Sequence, residues 1–349
     1  MKIFNLDCHI GARDFKKIAQ DLGHEVYLES LSDHNKFADL NTSIEFLHYK
    51  DNWQQYLMND VDRFYDQYKD SFNDIDAFYC FYPSSFSLFY QKFNKPIIIH
   101  SAVRFENPFF RNPNQLNDFK NFIKSGVKDG QIILCANNKL DQRHMEKCFD
   151  LDVDYIPSLC NYVDYKCTLE DKNVWADTNR SNLKVTHPKV KQLAHPYTDE
   201  DFFKGSGVIM LPYHNSTMAI FERYTANMPL FLPSKKFLMD SFKKDPINTM
   251  REISWFKLLN LGSKKEYENS INDYLNPDAM ETNFGLCDWT DGEFMKNAIQ
   301  YDSIDHLEHL LETVDLFEVS SNMAVENNQT KDIIYSKWEK ILNQISSGR

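Results

Sequence analysis

Three short polar stretches, each following an apolar run, hold the residue types from which a reaction centre could be assembled. The first is Asp7-Cys8-His9-Ile10-Gly11. Gly11, lacking a Cβ, lets the backbone approach a phosphate or sugar closely, while the N–H groups of a following helix point at it. His9 could accept a proton there, or could simply cap a tight turn facing solvent. One glycine is not a GxGxxG dinucleotide fingerprint. The second stretch is His100-Ser101-Ala102-Val103-Arg104-Phe105-Glu106, which offers a proton acceptor, an anion clamp and an orienting carboxylate in one loop. Its alternative reading is an ion pair of Arg104 with Glu106 over a core histidine. In the third, Pro212 ends an apolar run, His214-Asn215-Ser216-Thr217 opens a helix, and that helix carries Glu222 and Arg223 among apolar residues. Glu222 could equally be a helix carboxylate paired with Arg223 or a nearby lysine.

The elements that must position these stretches alternate in period. Residues 1–6 form a short apolar run, Phe15, Ile18, Ala19 and Leu22 recur at helical spacing, Gly23-His24 ends that helix, and residues 25–31 alternate as a strand. Strands over 77–82, 96–100, 131–136 and 153–156 alternate with helices over 84–93 and 139–149, so a parallel sheet covered on both faces is expected. Residues 158–182 are poor in period and rich in Asn, Asp and Lys, and the domain boundary is placed there. A further cycle follows, with strands over 208–211 and 229–232 around a helix over 218–225. Helices are expected over 237–243, 249–259, 304–311 and 331–345. The resulting division is an N-terminal Rossmann-like domain over 1–157, a second over 158–330, and a C-terminal helix over 331–346 that would pack back on the first domain. Two α/β parallel-sheet domains in tandem put the default ligand site in a cleft between them, at the carboxyl ends of the strands.

Composition narrows the function. The 349 residues are 42% hydrophobic and include 27 Phe and 18 Tyr, enough to bury sizeable cores. With 39 Lys+Arg against 51 Asp+Glu the net charge is −12, which opposes long-range attraction to nucleic acid or an anionic membrane, so an anionic ligand must be held by a local basic pocket. Seven scattered cysteines with no CxxC pair read as reduced thiols in a reducing compartment. Neither a signal peptide nor an apolar run of membrane-spanning length is present, and a cytoplasmic location is expected.

The stretch from Leu211 to Phe231 resembles the donor-binding segment of GT-B glycosyltransferases, in particular the group-1, GT4-like retaining nucleotide-sugar enzymes. Their pattern is roughly PSxxEGFGLxxLEAMAxGxPVV, and residues 221–234, FERYTANMPLFLPS, match its second half position for position. The resemblance implies that Glu222 holds the nucleotide ribose hydroxyls, that Ser216 and Thr217 lie beside the diphosphate, and that Asn215 is a further donor-binding residue of the loop. His214 stands at the family's first glutamate and is placed against the transferred sugar. In the N-terminal half, Gly11, residues 22–26 (LGHEV) and the PIIIHS segment ending in His100 fit the same family in outline, making His100 the acceptor-side candidate. The family's Arg and Lys-Gly pair is not recognisable. Arg104 and Arg223 are the basic candidates for the leaving phosphate, which a chain of this charge must neutralise with helix N-termini and one or two cations. His9 would be the base of an inverting enzyme; in a retaining enzyme the donor phosphate takes that role, and retention is favoured.

Rival readings are set by particular features. Asp74-Ile75-Asp76 and Asp152-Val153-Asp154 match the metal-binding DxD of GT-A enzymes, but both precede strands rather than close them, and no His/Cys/Asp spacing suits a metal, so no metal or other obligatory cofactor is expected. A nucleotide-sugar epimerase would need the same ribose glutamate and would change the sugar without an acceptor. A non-catalytic sugar- or nucleotide-binding protein would bind the donor without hydrolysing it. Aromatic residues over 78–82 and 86–90 lack interleaved Lys or Arg, which speaks for core rather than nucleic-acid stacking. The expected partners are a nucleoside-diphosphate sugar and a carbohydrate or other hydroxyl acceptor.

Overall fold

The computed structural model describes residues 1–8, 11–30, 60–109, 112–177, 185–193, 197–212, 214–244, 277–291 and 294–347. It divides into two compact units, Met1–Ser158 with Ile333–Arg349, and Leu159–Asp332. The expected helix over 249–259 lies outside the described residues, as does His9.

The N-terminal unit is built on six parallel strands, β1 (Lys2–Asp7), β2 (Glu25–Ser30), β3 (Ala77–Cys80), β4 (Ile97–Ser101), β5 (Ile132–Ala136) and β6 (Asp154–Tyr155), in the order β2-β1-β3-β4-β5-β6. Parallel strands need both faces covered, and the sequence supplies apolar side chains to each. On one face Phe4, Leu6, Phe78, Ile97 and Ile99 meet Phe64 of α2 (Val61–Tyr68), Phe86, Phe89 and Tyr90 of a 3-10 helix (Ser84–Phe93), Phe119 and Ile123 of α3 (Pro113–Lys128), and Met145 of α4 (Lys139–Phe149). On the other, Phe15 of α1 (Arg13–Asp21) stacks on Tyr79 with ring centroids 3.9 Å apart, and Trp338 meets Phe15, Tyr79 and His100. Trp338 belongs to the helix Leu316–Ser346, whose 31 residues span about 46 Å. The helix expected over 331–345 is the distal part of this longer one. Where an α-helix was expected over 84–93 the backbone is 3-10; Ser87 Oγ bonds the Ser84 carbonyl at 2.7 Å, three residues back, in keeping with that tighter spacing.

The C-terminal unit carries five parallel strands, β7 (Val174–Asp177), β8 (Val190–Gln192), β9 (Gly207–Met210), β10 (Leu230–Pro233) and β11 (Ile299–Tyr301), in the order β11-β10-β9-β7-β8. Four of its helices are α5 (Asp199–Phe203), α6 (Met218–Thr225), α7 (Lys235–Lys244) and Ile304–Thr313. β7 falls inside the stretch read as aperiodic: four residues buried in alternation are too short a run to stand out among its charged neighbours. In both sheets the chain adds its second strand on one side of the first and its third on the other. That reversal leaves a crevice beyond the carboxyl ends of β1 and β3, and another beyond β7 and β9, where ligands of open α/β sheets bind.

Candidate functional site

The crevice of the C-terminal sheet is bordered by Asp177, the last residue of β7, and by the loop that carries β9 into α6. That loop is held from within and from below. His214 Nδ1 accepts from Ser216 N at 3.0 Å, Thr217 Oγ1 donates to the His214 carbonyl at 3.1 Å, and Trp289 Nε1 donates to the Asn215 carbonyl at 3.1 Å. Trp289 is itself fixed by Gln300, whose amide donates to the carbonyls of Trp289 and Thr290. Because the Thr217 hydroxyl turns back to His214, no side chain caps α6 at this N-cap position. The first-turn N–H groups of α6, at the positive end of the helix dipole, thus face the crevice end of the sheet, the arrangement that receives an anion.

α6 also delivers a cation and an anion. Helical side chains tilt toward the N-terminus, so Arg223 reaches back to Asp177, Nη2 to Oδ2 at 2.7 Å, with its guanidinium carbon 4.9 Å from the centroid of the Phe202 ring. Arg223 is buried, and its Nη1 has no hydrogen-bond partner among the described residues. Glu222 is half-buried on another side of the helix, where Tyr162 Oη donates to its Oε1 at 2.6 Å. The flank of α6 nearest Glu222 runs along the start of the unit: Thr225 Oγ1 bonds the Leu159 carbonyl and Lys166 Nζ the Thr225 carbonyl at 2.6 Å. Beyond α6, Asn227 adopts a left-handed φ of 59° and its side chain accepts from Asn327 at 2.7 Å. Glu326 accepts from Tyr224 Oη, Lys296 N and Asn297 Nδ2, a lock that seats the far end of α6 on the long helix. Glu222 and Arg223 thus do not pair with each other.

In the N-terminal unit the picture differs from residue to residue. Asp7 is buried and accepts from Ala12 N at 3.2 Å. The space that a Cβ on Gly11 would need is taken by the Phe81 ring, 2.4 Å away, so packing against Phe81 already demands glycine here, before any ligand is considered. His100 is 3% exposed and both its ring nitrogens are engaged, Nε2 with the Ile156 carbonyl and Nδ1 with Tyr79 Oη, each at 2.8 Å. A carbonyl only accepts, so Nε2 carries the proton and Tyr79 donates to Nδ1. Burial pulls His100 down from 6.5 to about 4, against the smaller upward effect of the Ile156 bond, and the ring is neutral. It is a core post rather than a free base.

Arg104 and Glu106 form a buried two-pronged ion pair, Nε to Oε2 at 3.2 Å and Nη2 to Oε1 at 3.1 Å. The histidine that joins them is His144, Nε2 2.6 Å from Glu106 Oε1, not His100. Burial pushes the Glu106 carboxyl up, but the charges of Arg104 and His144 and their hydrogen bonds outweigh it and hold the group well below the usual range. Burial, then Arg104, lowers His144. The motif reading missed His144, Asp177, Tyr162 and Trp289. Each meets its partner across 38 to 74 residues of sequence, so no local pattern marks the pairings.

No protein-family model matches this sequence, and no curated protein matches it. Among solved structures the chain is similar to a glycosyltransferase from Rickettsia africae ESF-5, at 10% identity over 100% of this chain and 99% of that one, with a TM-score of 0.51. Spinosyn forosaminyltransferase SpnP is 10% identical over 99% of both chains with a TM-score of 0.48, and the glycosyltransferase of kitacinnamycin is 9% identical over 99% and 98% with 0.47. At such identities the likeness is one of fold: two parallel-sheet α/β units of the GT-B type.

Proposed function

We propose that this protein transfers a sugar from a nucleoside-diphosphate sugar to a hydroxyl acceptor. The observation that carries the reading is the pairing on α6 of a half-buried carboxylate, Glu222, held by Tyr162, with an uncapped helix N-terminus at the reversal point of a parallel sheet. The start and the middle of the helix suit the two parts of such a donor. Glu222 accepts from the ribose hydroxyls. The N–H groups following Ser216 and Thr217 receive the diphosphate, and His214 and Asn215 shape the loop beside the transferred sugar. Arg223, anchored by Asp177, supplies the fixed positive charge beneath the loop.

As the glycosidic bond to the phosphate breaks, negative charge grows on the leaving diphosphate. Donors already oriented toward that charge stabilise it without reorganising. The acceptor is assigned to the N-terminal unit, at the turn through Gly11 after β1. With both His100 nitrogens committed, the acceptor proton passes to a phosphate oxygen of the donor, in keeping with the retaining stereochemistry that the 221–234 resemblance favours; transfer on this reading needs no metal. Its setting is the cytoplasm.

A panel of UDP-, GDP-, ADP- and dTDP-sugars tests the reading by thermal shift, since a ligand bound by the folded state alone raises the melting temperature. One donor should stabilise the protein and Glu222→Ala should remove most of that shift. No shift with any donor would refute it. Nuclear magnetic resonance of the product anomer then decides retention.

A further inference from the structure

The N-terminal unit holds a second cluster of chemically capable side chains, remote in function from the donor residues of α6. His144 and Cys148 are four residues apart on α4 and so share one helix face. Glu106, from the loop after β4, is brought against that face. Glu106 Oε1, His144 Nε2 and Cys148 Sγ all lie within 4.8 Å of one another; His144 Nε2 is 2.6 Å from the carboxylate oxygen and 3.5 Å from the sulfur.

Such a cluster could act in two ways. A nucleophilic relay needs the thiol on one ring nitrogen and the orienting carboxylate on the other. Here the nearer approach of the sulfur is to Nε2, the same nitrogen that meets Glu106, with Nδ1 farther at 3.9 Å, so the relay is not formed. A cation needs the opposite arrangement, in which all donor atoms converge on one point. These three atoms are gathered within 4.8 Å of one another, near enough to share one ion.

We propose that Glu106, His144 and Cys148 form a zinc-binding site. The donor set of one carboxylate oxygen, one imidazole nitrogen and one sulfur is that of a borderline-soft ion with no fixed geometric preference. Bonds of about 2.0 to 2.3 Å to each donor place tetrahedral ligand atoms roughly 3.3 to 3.7 Å apart; the 3.5 Å between His144 Nε2 and Cys148 Sγ already matches this, and the 2.6 Å between His144 Nε2 and Glu106 Oε1 must open as the ion replaces the proton between them. The ion takes the place of the proton between His144 Nε2 and Glu106, and that proton moves to Nδ1; the Cys148 thiol proton leaves to solvent. Arg104 keeps its fork on Glu106 and orients the ligating carboxylate from behind. Cys148 is only partly buried, which gives the ion a path in and water a place as fourth ligand. Arg104 and the Lys120 ammonium, which lies 5.9 Å from the Phe105 ring centroid, oppose a dication and keep its affinity below that of an all-cysteine site.

The test uses the full chain, freed of metal by chelation and titrated first with Co2+ and then with Zn2+. One Co2+ per chain should bind with a thiolate-to-cobalt charge-transfer band, and Zn2+ should displace it. Cys148→Ser should abolish the band, and His144→Ala should weaken binding at least about tenfold. Cys167→Ser, which alters another half-buried thiol, should leave the band intact. Absence of the band in the parent protein, or a band that survives Cys148→Ser, would overturn the proposal.

Discussion

Glu29→Gln should reveal a pH dependence of stability that the parent protein conceals. Glu29 pairs with Leu6 in the β1–β2 register, so its side chain shares the buried face of Leu6, and it is 5% exposed. Burial raises its carboxyl from 4.5 to about 7. The folded chain therefore prefers the neutral acid, and that contribution is complete below pH 4.5 and lost as pH rises through 7. His100, lowered from 6.5 to about 4, prefers the neutral ring, and its contribution is complete above pH 6.5 and lost as pH falls through 4. At about 1.36 kcal/mol per pH unit each displacement is worth about 3 kcal/mol at full extent. Between pH 5 and 7 the linkage relation gives about 2 kcal/mol lost through Glu29 and about 2 kcal/mol gained through His100, so the two nearly cancel. Glu29→Gln should then gain about 2 kcal/mol relative to the parent between pH 5 and 7, and His100→Gln should lose about as much. Urea unfolding at the two pH values measures this, with the fluorescence of Trp338, packed 5.1 Å from the His100 ring, as a reporter of the same unit. Parallel slopes in all three proteins would refute the assignment of two buried neutral groups.

Other consequences are equally direct. Glu222→Gln should weaken donor binding roughly 10- to 100-fold by calorimetry, the worth of a charge-assisted hydrogen bond, while Tyr162→Phe, which removes the hydroxyl that donates to Glu222 and leaves the carboxylate in place, should cost less. Gly11→Ala should destabilise the protein by about 1–3 kcal/mol in chemical denaturation, because the new methyl group meets the Phe81 ring. Arg223→Ala should cost about 3 kcal/mol or more, and adding Asp177→Ala should recover part of it, since the damage lies in the partner left unpaired.

Much of the scaffold was legible locally. The spans of α4 and α6 coincide with those read from periodicity, since each carries clear boundary signals, such as Asn138 accepting from Asp141 N ahead of α4 and the Asn227-Met228-Pro229 turn after α6. The alternation of strands and helices sufficed for parallel sheets, because apolar period is a property of neighbouring residues. α3 was overlooked, although Asn112 caps it, Pro113 opens it, and Phe119 and Ile123 recur at helical spacing.

What the tertiary structure alone decided is who meets whom. Arg104 and Glu106 could be read as a clamp or an ion pair from their spacing, but only folding brings His144 to them from 38 residues away. Arg223 finds Asp177 across 46 residues and Glu222 finds Tyr162 across 60, so the pairing of these charges is not written in any local window. Gly11 was visible as a glycine, yet the reason for it is the Phe81 ring just past the end of β3. Local sequence sets backbone propensity and which face is apolar; partner, burial and protonation depend on long-range packing, and in this protein those three properties distinguish the buried, doubly bonded His100 from the half-buried Glu222.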